Sequence, residues 1–289
     1  MDDKKIAVLI DAENVSGKYI KLILDEVSNY GSATSKRLYG DFQTPSVRAW
    51  MKNLRDYAIT PVFQYNYTQG KNASDSALII DAMDILYSGN VDGFCIVTSD
   101  SDFTKLVLRL RESGMTVIGM GERKTPNAFV SACETFKFLD ILLNDENPSQ
   151  NPSLPQTRKE SEADGSRKEA EKESDPNAVS NIPNMEEMEK EIISIINTHA
   201  DDDGWVDLSE LGDNLPKRVP GFDPRNYKCT KLKQFIELFD SVEVRSARNP
   251  HNKILSIIYV RVKQKEEKPV LSKVRRGGKR KKDADAEEE

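Results

Sequence analysis

The stretch Ile6-Ala7-Val8-Leu9-Ile10-Asp11-Ala12-Glu13-Asn14 decides the fold. Five apolar residues without a polar break, stopped by an acid and a polar turn, read as a strand buried on both faces, as in parallel sheets. Phe94-Cys95-Ile96-Val97 breaks into Thr98-Ser99-Asp100-Ser101-Asp102-Phe103 in the same way. Working outward, further strands are expected at Ser32–Tyr39, Ile59–Tyr65, Met115–Met120 and near Phe136–Phe138. Helical spacing falls between them. A helix over Ser16–Asn29 would carry Tyr19, Ile20, Ile23, Leu24 and Val27 on one face. Others are expected from Pro45 to Tyr57, about Ser74–Tyr87, over Phe103–Ser113 and from Asn127. Strands alternating with helices predict an α/β unit with a parallel sheet.

The character changes near residue 144. Residues 144–184 are rich in Asn, Pro, Ser, Glu and Lys and poor in large apolar side chains, and read as a disordered linker after a first domain at 1–143. Helical periodicity returns with Met188, Ile192, Ile195 and Ile196. Short helices and then two strands around Asn249-Pro250 predict a small α+β domain of winged-helix type at 185–263. Residues 264–289 form a tail, basic over Lys273–Lys282 and acidic over Asp283–Glu289.

Composition narrows the chemistry. The chain has 289 residues and a net charge of -6, which by itself does not advertise a nucleic-acid partner. Cys95, Cys133 and Cys229 form no CxxC pair and read as buried thiols in a reducing compartment. The start Met1-Asp-Asp-Lys-Lys does not resemble a secretory leader, and no run is long enough to cross a bilayer, so a cytoplasmic location without membrane contact is expected. His199 and His251 are the only histidines, so histidine catalysis in the first domain is excluded.

In a doubly wound sheet, strands one and four are neighbours where the strand order reverses, and ligands bind outside their carboxyl ends. That brings Asp11 beside Asp100 and Asp102, with Asp75 on the same rim in the first turn of the helix after strand three. Four carboxylates there suit one or two Mg²⁺ or Mn²⁺ ions, since hard cations prefer oxygen ligands. Such ions can activate water for an in-line phosphodiester displacement without a Cys or His nucleophile. Asn14, Ser99 and Lys71 are the candidate substrate-binding residues: Asn14 could position water or phosphate, Ser99 lies on the same rim, and Lys71 could contact a phosphate. A simpler role stays open for each. Asp100, Asp102, Asn14 and Ser16 can cap helices or shape turns, and Lys71 can be solvated. Asp81 lies about 120° around its helix from Asp75 and reads as outside the ligand set.

The run Val8-Leu-Ile-Asp-Ala-Glu-Asn-Val15, with Lys71-Asn-Ala-Ser-Asp75 and Val97-Thr-Ser-Asp-Ser-Asp-Phe103, resembles the NYN domain family, the LabA-like branch of the PIN-type nucleases. Ala132-Cys-Glu-Thr-Phe136 resembles its closing motif. The resemblance covers about residues 4–143. It implies a PIN-like Rossmannoid fold and metal-dependent ribonuclease chemistry. By position, Asp11, Asp75, Asp100 and Asp102 match the family's acidic metal ligands, and Asn14 their polar partner. Lys71 stands farther from its acid than in many members.

Residues 186–263 resemble the LOTUS (OST-HTH) module through Asp202-Asp-Gly-Trp-Val-Asp-Leu-Ser-Glu-Leu, Pro220-Gly-Phe-Asp-Pro-Arg-Asn-Tyr227 and Lys231-Leu-Lys-Gln-Phe235. That implies RNA binding or docking of a protein partner. Related sequences often have Gly-Tyr where this one has Lys228-Cys229. Trp205, Tyr227 and Phe235 are expected in the core rather than as base-stacking platforms, and Arg225, Lys228, Lys231 and Lys233 could form a phosphate-facing patch. The basic tail could add salt-dependent phosphate contacts, or be solvated.

The leading expectation is a metal-dependent (endo)ribonuclease whose second domain brings RNA to the rim over a flexible tether. A non-catalytic RNA-binding or protein-docking adaptor is the alternative. Phosphoaspartyl enzymes of the haloacid-dehalogenase type want a second Asp where Glu13 stands, and no Gly-rich turn follows strand one for a dinucleotide. Oligomeric state is not legible.

Overall fold

β1 (Lys5–Asp11) is buried along its whole length after Lys5 and lies inside the sheet of the first domain. It pairs in parallel with β2 (Ser32–Gly40) on one side and β4 (Gly93–Val97) on the other. β3 (Thr60–Phe63) follows beyond β2, and β5 (Thr116–Gly121) and β6 (Thr135–Phe138) beyond β4. The order is therefore β3-β2-β1-β4-β5-β6, all parallel, reversing between β1 and β4 as the apolar runs predicted. The computed structural model describes residues 3–64, 73–146, 182–248 and 256–263.

The inner strands of this sheet feed two cores. Ala7, Leu9, Phe94 and Ile96 pack with α4 (Ala73–Ser88), α5 (Thr104–Glu112) and α6 (Asn127–Ala132). Ile6, Val8, Ile10, Cys95 and Val97 pack on the other face with α1 (Ile20–Ser28), α2 (Pro45–Arg48) and α7 (Leu139–Glu146). Burying each such side chain stabilises the fold by about 1.5–3 kcal/mol, and a strand apolar on both faces can satisfy two layers at once. Gly119 in β5 is needed for closeness: a Cβ there would lie 2.5 Å from Cys133 Sγ and 2.6 Å from the Phe136 ring.

The structure departs from the expected elements in several places. The first helix opens as a 3-10 turn over Gly17–Tyr19. The helix from Pro45 divides into α2 and α3 (Met51–Asp56), with Trp50 fully buried between them and its Nε1–H donated to the Val15 carbonyl at 3.1 Å. β3 stops at Phe63, and Tyr65 lies outside the described residues. α7 was not anticipated, because it leaves β6 directly with no Gly or Pro between Phe138 and Leu139.

The second domain opens with α8 (Met185–His199), held by a reciprocal capping box between Asn184 and Glu187. β7 (Val206–Asp207), α9 (Leu208–Arg218) and α10 (Leu232–Ile236) follow, then β8 (Val242–Arg248) and β9 (Ser256–Val262). The sheet is antiparallel in the order β7-β9-β8 and, with the helices, is consistent with a winged helix. Met188, Ile192, Ile195 and Ile196 are buried in its core, as the periodicity required. The turn at Asn249-Pro250 and the tail from residue 264 lie outside the described residues.

The two domains touch directly. The Phe136 N–H of edge strand β6 donates to the Pro220 carbonyl at 2.7 Å, and Gly221 packs within reach of Val130 and Phe138. Lys137 Nζ meets Asp223 Oδ2 at 2.5 Å. Arg225 bonds Asp223 at 2.8 Å and Glu26 of α1 at 2.6 Å. Burial alone would lower the Lys137 pKa, but Asp223, Tyr30 and Glu26 outweigh it and raise it. Burial likewise opposes the Asp223 carboxylate, yet Arg225 and Lys137 hold its pKa well below the usual range. The linker expected at 144–184 falls largely outside the described residues, but the units at its ends are in contact rather than independent.

Candidate functional site

The rim is built outward from Asp11, the last residue of β1. The residue is 2% exposed and its carboxylate is fully engaged. Oδ1 accepts the Glu13 and Asn14 N–H groups at 3.0 and 3.3 Å. Oδ2 accepts the Asn14 amide at 2.7 Å and the Thr98 hydroxyl at 2.8 Å. Burial raises the Asp11 pKa, and these hydrogen bonds pull it back without cancelling the rise.

Thr98, just past β4, also accepts the Asp100 N–H at 3.1 Å. Asp100 in turn accepts the Asp102 N–H at 2.9 Å and caps the 3-10 turn Ser101–Phe103. The capping role weighed for Asp100 is thus real and coexists with its place on the rim. Asp75 sits in the first turn of α4, half-buried. Its pKa is pushed up to about 6, first by burial and then by the charges of Asp11, Asp100, Glu13 and Asp102. Like charges raise a carboxyl pKa only over short range, so this marks the place where the acids gather.

The donor set is therefore all oxygen, rich in negative charge and suited to a hard divalent cation. As the side chains stand, no group of three or more His, Cys, Asp or Glu among the described residues closes tightly enough to hold one. Asp11 already accepts four hydrogen bonds, so ligation there needs Asn14 or Thr98 to release an oxygen.

Glu13, Thr98, Ser74 and Glu122 were not anticipated on the rim. Glu13 accepts the Asp41 N–H at 3.0 Å through one oxygen and the Ser74 hydroxyl at 3.1 Å through the other. It thereby ties the loop after β1 to the end of β2 and the start of α4. Its spacing from Asp11 is legible, but nothing in the sequence shows which way it turns. Ser99, expected toward substrate, instead accepts the Glu122 N–H at 3.0 Å and joins the ends of β4 and β5. Gly121 permits that approach, since a Cβ would lie 2.5 Å from the Thr98 carbonyl oxygen. Asp81 is taken up by Arg37, with which it pairs, and by the Tyr39 hydroxyl, which donates to it. Lys71 lies outside the described residues.

In the second domain the expected basic patch divides. The Arg225 guanidinium is taken up by Asp223 and Glu26, which turns it into the interface and away from a phosphate-facing role. Lys228 and Lys231 are exposed, and Lys233 pairs with Glu237 at 3.5 Å. Phe235 is in the core as expected, and Tyr227 packs on it at 4.6 Å between ring centroids. Trp205 is the exception. It is half-buried on the sheet and not part of the core.

Comparison with known proteins follows the same division. The NYN domain model matches residues 5–142, and the OST-HTH/LOTUS domain model matches residues 184–254. An uncharacterized protein of Methanocaldococcus jannaschii, MJ0482, is 26% identical over 129 residues, covering 41% of this chain and 48% of that protein. The chain thus spans about half of that relative's length. A crystal structure of a protein of unknown function from Vibrio parahaemolyticus, VPA0982, aligns with 46% of this chain and 91% of its own, at 22% identity and a TM-score of 0.40. NYN domains belong to the PIN-like nuclease superfamily. No helix among the described residues is long and apolar enough to cross a membrane. The chain therefore carries an NYN domain over residues 5–142, followed by an OST-HTH/LOTUS domain over residues 184–254.

Proposed function

We propose that the protein is a metal-dependent ribonuclease that hydrolyses RNA phosphodiester bonds at the rim of the NYN domain. The observation that carries this reading is the gathering of Asp11, Asp100 and Asp102 at the carboxyl ends of β1 and β4, linked through Thr98, with Asp75 in the first turn of α4 near enough for their charges to raise its pKa. Mg²⁺ or Mn²⁺ would be held by Asp11, Asp75, Asp100 and Asp102, with Glu13 and Thr98 keeping them in place. When bound, such an ion supplies an activated water and neutralises charge on the leaving oxygen. The protein's own part is to gather the acids at the carboxyl ends of β1 and β4 and to orient Asp11 through Asn14 and Thr98.

The test is cleavage of labelled single-stranded RNAs by the full chain with Mn²⁺ or with EDTA, beside Asp11→Asn and Asp100→Asn. Metal-dependent products lost in both variants are expected, with melting unchanged in Asp100→Asn, where Asn can still accept the Asp102 N–H. No products from the native chain, with RNA binding retained, would transfer the function to an RNA-binding adaptor.

A further inference from the structure

The outer face of the β7-β9-β8 sheet carries an arrangement that the rim does not use. Gly204 takes a φ of +82°, and the Asp201 carboxylate accepts the Asp203 and Trp205 N–H groups at 3.1 and 2.7 Å. The Asp201 N–H also donates to the Trp205 carbonyl at 2.9 Å. This tight, self-satisfied loop delivers the indole onto the sheet. Arg261 lies over the ring with Cζ 4.5 Å from its centroid, and its Nη2 is fixed by Glu243 at 2.8 Å. Strand alternation puts Arg245 and Tyr259, directly paired, on the same face as Arg261, while Val244, Val260 and Val262 belong to the core side. Arg245 Cζ stands 6.0 Å from the indole centroid. A cavity of about 220 Å³ is lined by Asp201, Asp203, Trp205, Arg245, Ala247 and Tyr259.

We infer that this cavity seats one unpaired base of single-stranded RNA, stacked on Trp205, with its phosphate toward Arg245. The inference rests on RNA being the substrate of the NYN rim. The room suits one flat ring system rather than an extended ligand. Aromatic floors beside guanidinium groups bind single strands by stacking plus phosphate contact. A cationic side chain from a protein partner is disfavoured, because two guanidinium groups already stand within reach of the indole. The Asp203 carboxylate at the cavity mouth can accept from an amine or ring N–H on the base edge. The Asp201 carboxylate already accepts two backbone N–H groups.

The measurement is intrinsic tryptophan fluorescence of the full chain, titrated with a short mixed-sequence single-stranded RNA in EDTA. Trp205 is one of two tryptophans, and the other, Trp50, is fully buried. Saturable quenching is expected, with affinity about tenfold weaker in Arg245→Glu and quenching abolished in Trp205→Phe, which keeps a stacking ring. The inference is overturned by RNA binding without quenching, by an unchanged affinity in a normally melting Arg245→Glu, or by quenching with an arginine-rich peptide and not with RNA. The nuclease reading fails separately: quenching without metal-dependent cleavage sinks only the rim, and cleavage without quenching sinks only this site.

Discussion

The Thr98 hydroxyl donates to Asp11 Oδ2 at 2.8 Å while its oxygen accepts the Asp100 N–H at 3.1 Å. One fully buried side chain thus fastens the ends of β1 and β4 together across the reversal of strand order, where both acids must be held. Thr98→Val keeps the shape and removes both bonds. It is expected to destabilise the chain by about 1–2 kcal/mol in denaturant unfolding. RNA cleavage should fall at least tenfold, with recovery in Thr98→Ser. Full cleavage in a Thr98→Val chain would assign the hydroxyl to stability alone.

Asp75 makes a pH prediction. Its native pKa of about 6 lies above the unfolded value of roughly 3.9, so between those values the folded chain holds a proton that the unfolded chain has lost. Stability without metal should therefore fall as pH rises through this window, and Asp75→Asn should remove the slope. Because Asp75 is half-exposed, the gain at pH 7.5 is expected to be only about 1 kcal/mol after solvent screening. Melting curves in EDTA at pH 4 and 7.5 check it, and a variant less stable than the parent at pH 7.5 would refute the repulsion. Added Mn²⁺ should stabilise the parent and not Asp75→Asn.

At the domain interface the sign reverses. The Asp223 pKa is depressed, so its contribution is present above the ordinary carboxylate pKa and lost as pH falls through the native value. Acidification should begin to weaken the interface below about pH 4 and release the two domains only well below that, as Asp223 takes up its proton. The Phe136 amide, bonded to Pro220, should then lose protection in hydrogen exchange while β1 amides keep theirs. Lys137→Met, which leaves Asp223 with Arg225 alone, should cost about 2 kcal/mol and cause the same release at neutral pH. Undiminished Phe136 protection in that variant would count against a charge-held interface.

Lys228 takes a φ of 61° as the left-handed cap after the turn Pro224–Tyr227, a conformation that suits glycine. A side chain there is strained. Lys228→Gly should therefore raise stability by about 0.5–1 kcal/mol, read as a higher Tm. A lower Tm would mean that the side chain earns its place by a contact.

The sequence by itself determined the parallel sheet and its order around β1 and β4, because short runs apolar on both faces are best buried between two layers of helices. It also placed the helix face of α8 and, apart from Leu22, that of α1, since helical periodicity is a local property. It could not show α7, which carries no turn signal at its start, nor the division at Trp50, which depends on a partner carbonyl in the loop after β1. Only the tertiary structure decided that Glu13 and Thr98 serve the rim, that Ser99 and Arg225 are occupied elsewhere, and that Trp205 faces outward. Those outcomes depend on which distant group each polar or amphipathic side chain meets. Burial is written in the pattern of residue types, whereas a hydrogen bond between residues 87 apart, such as Thr98 to Asp11, exists only once the chain has folded.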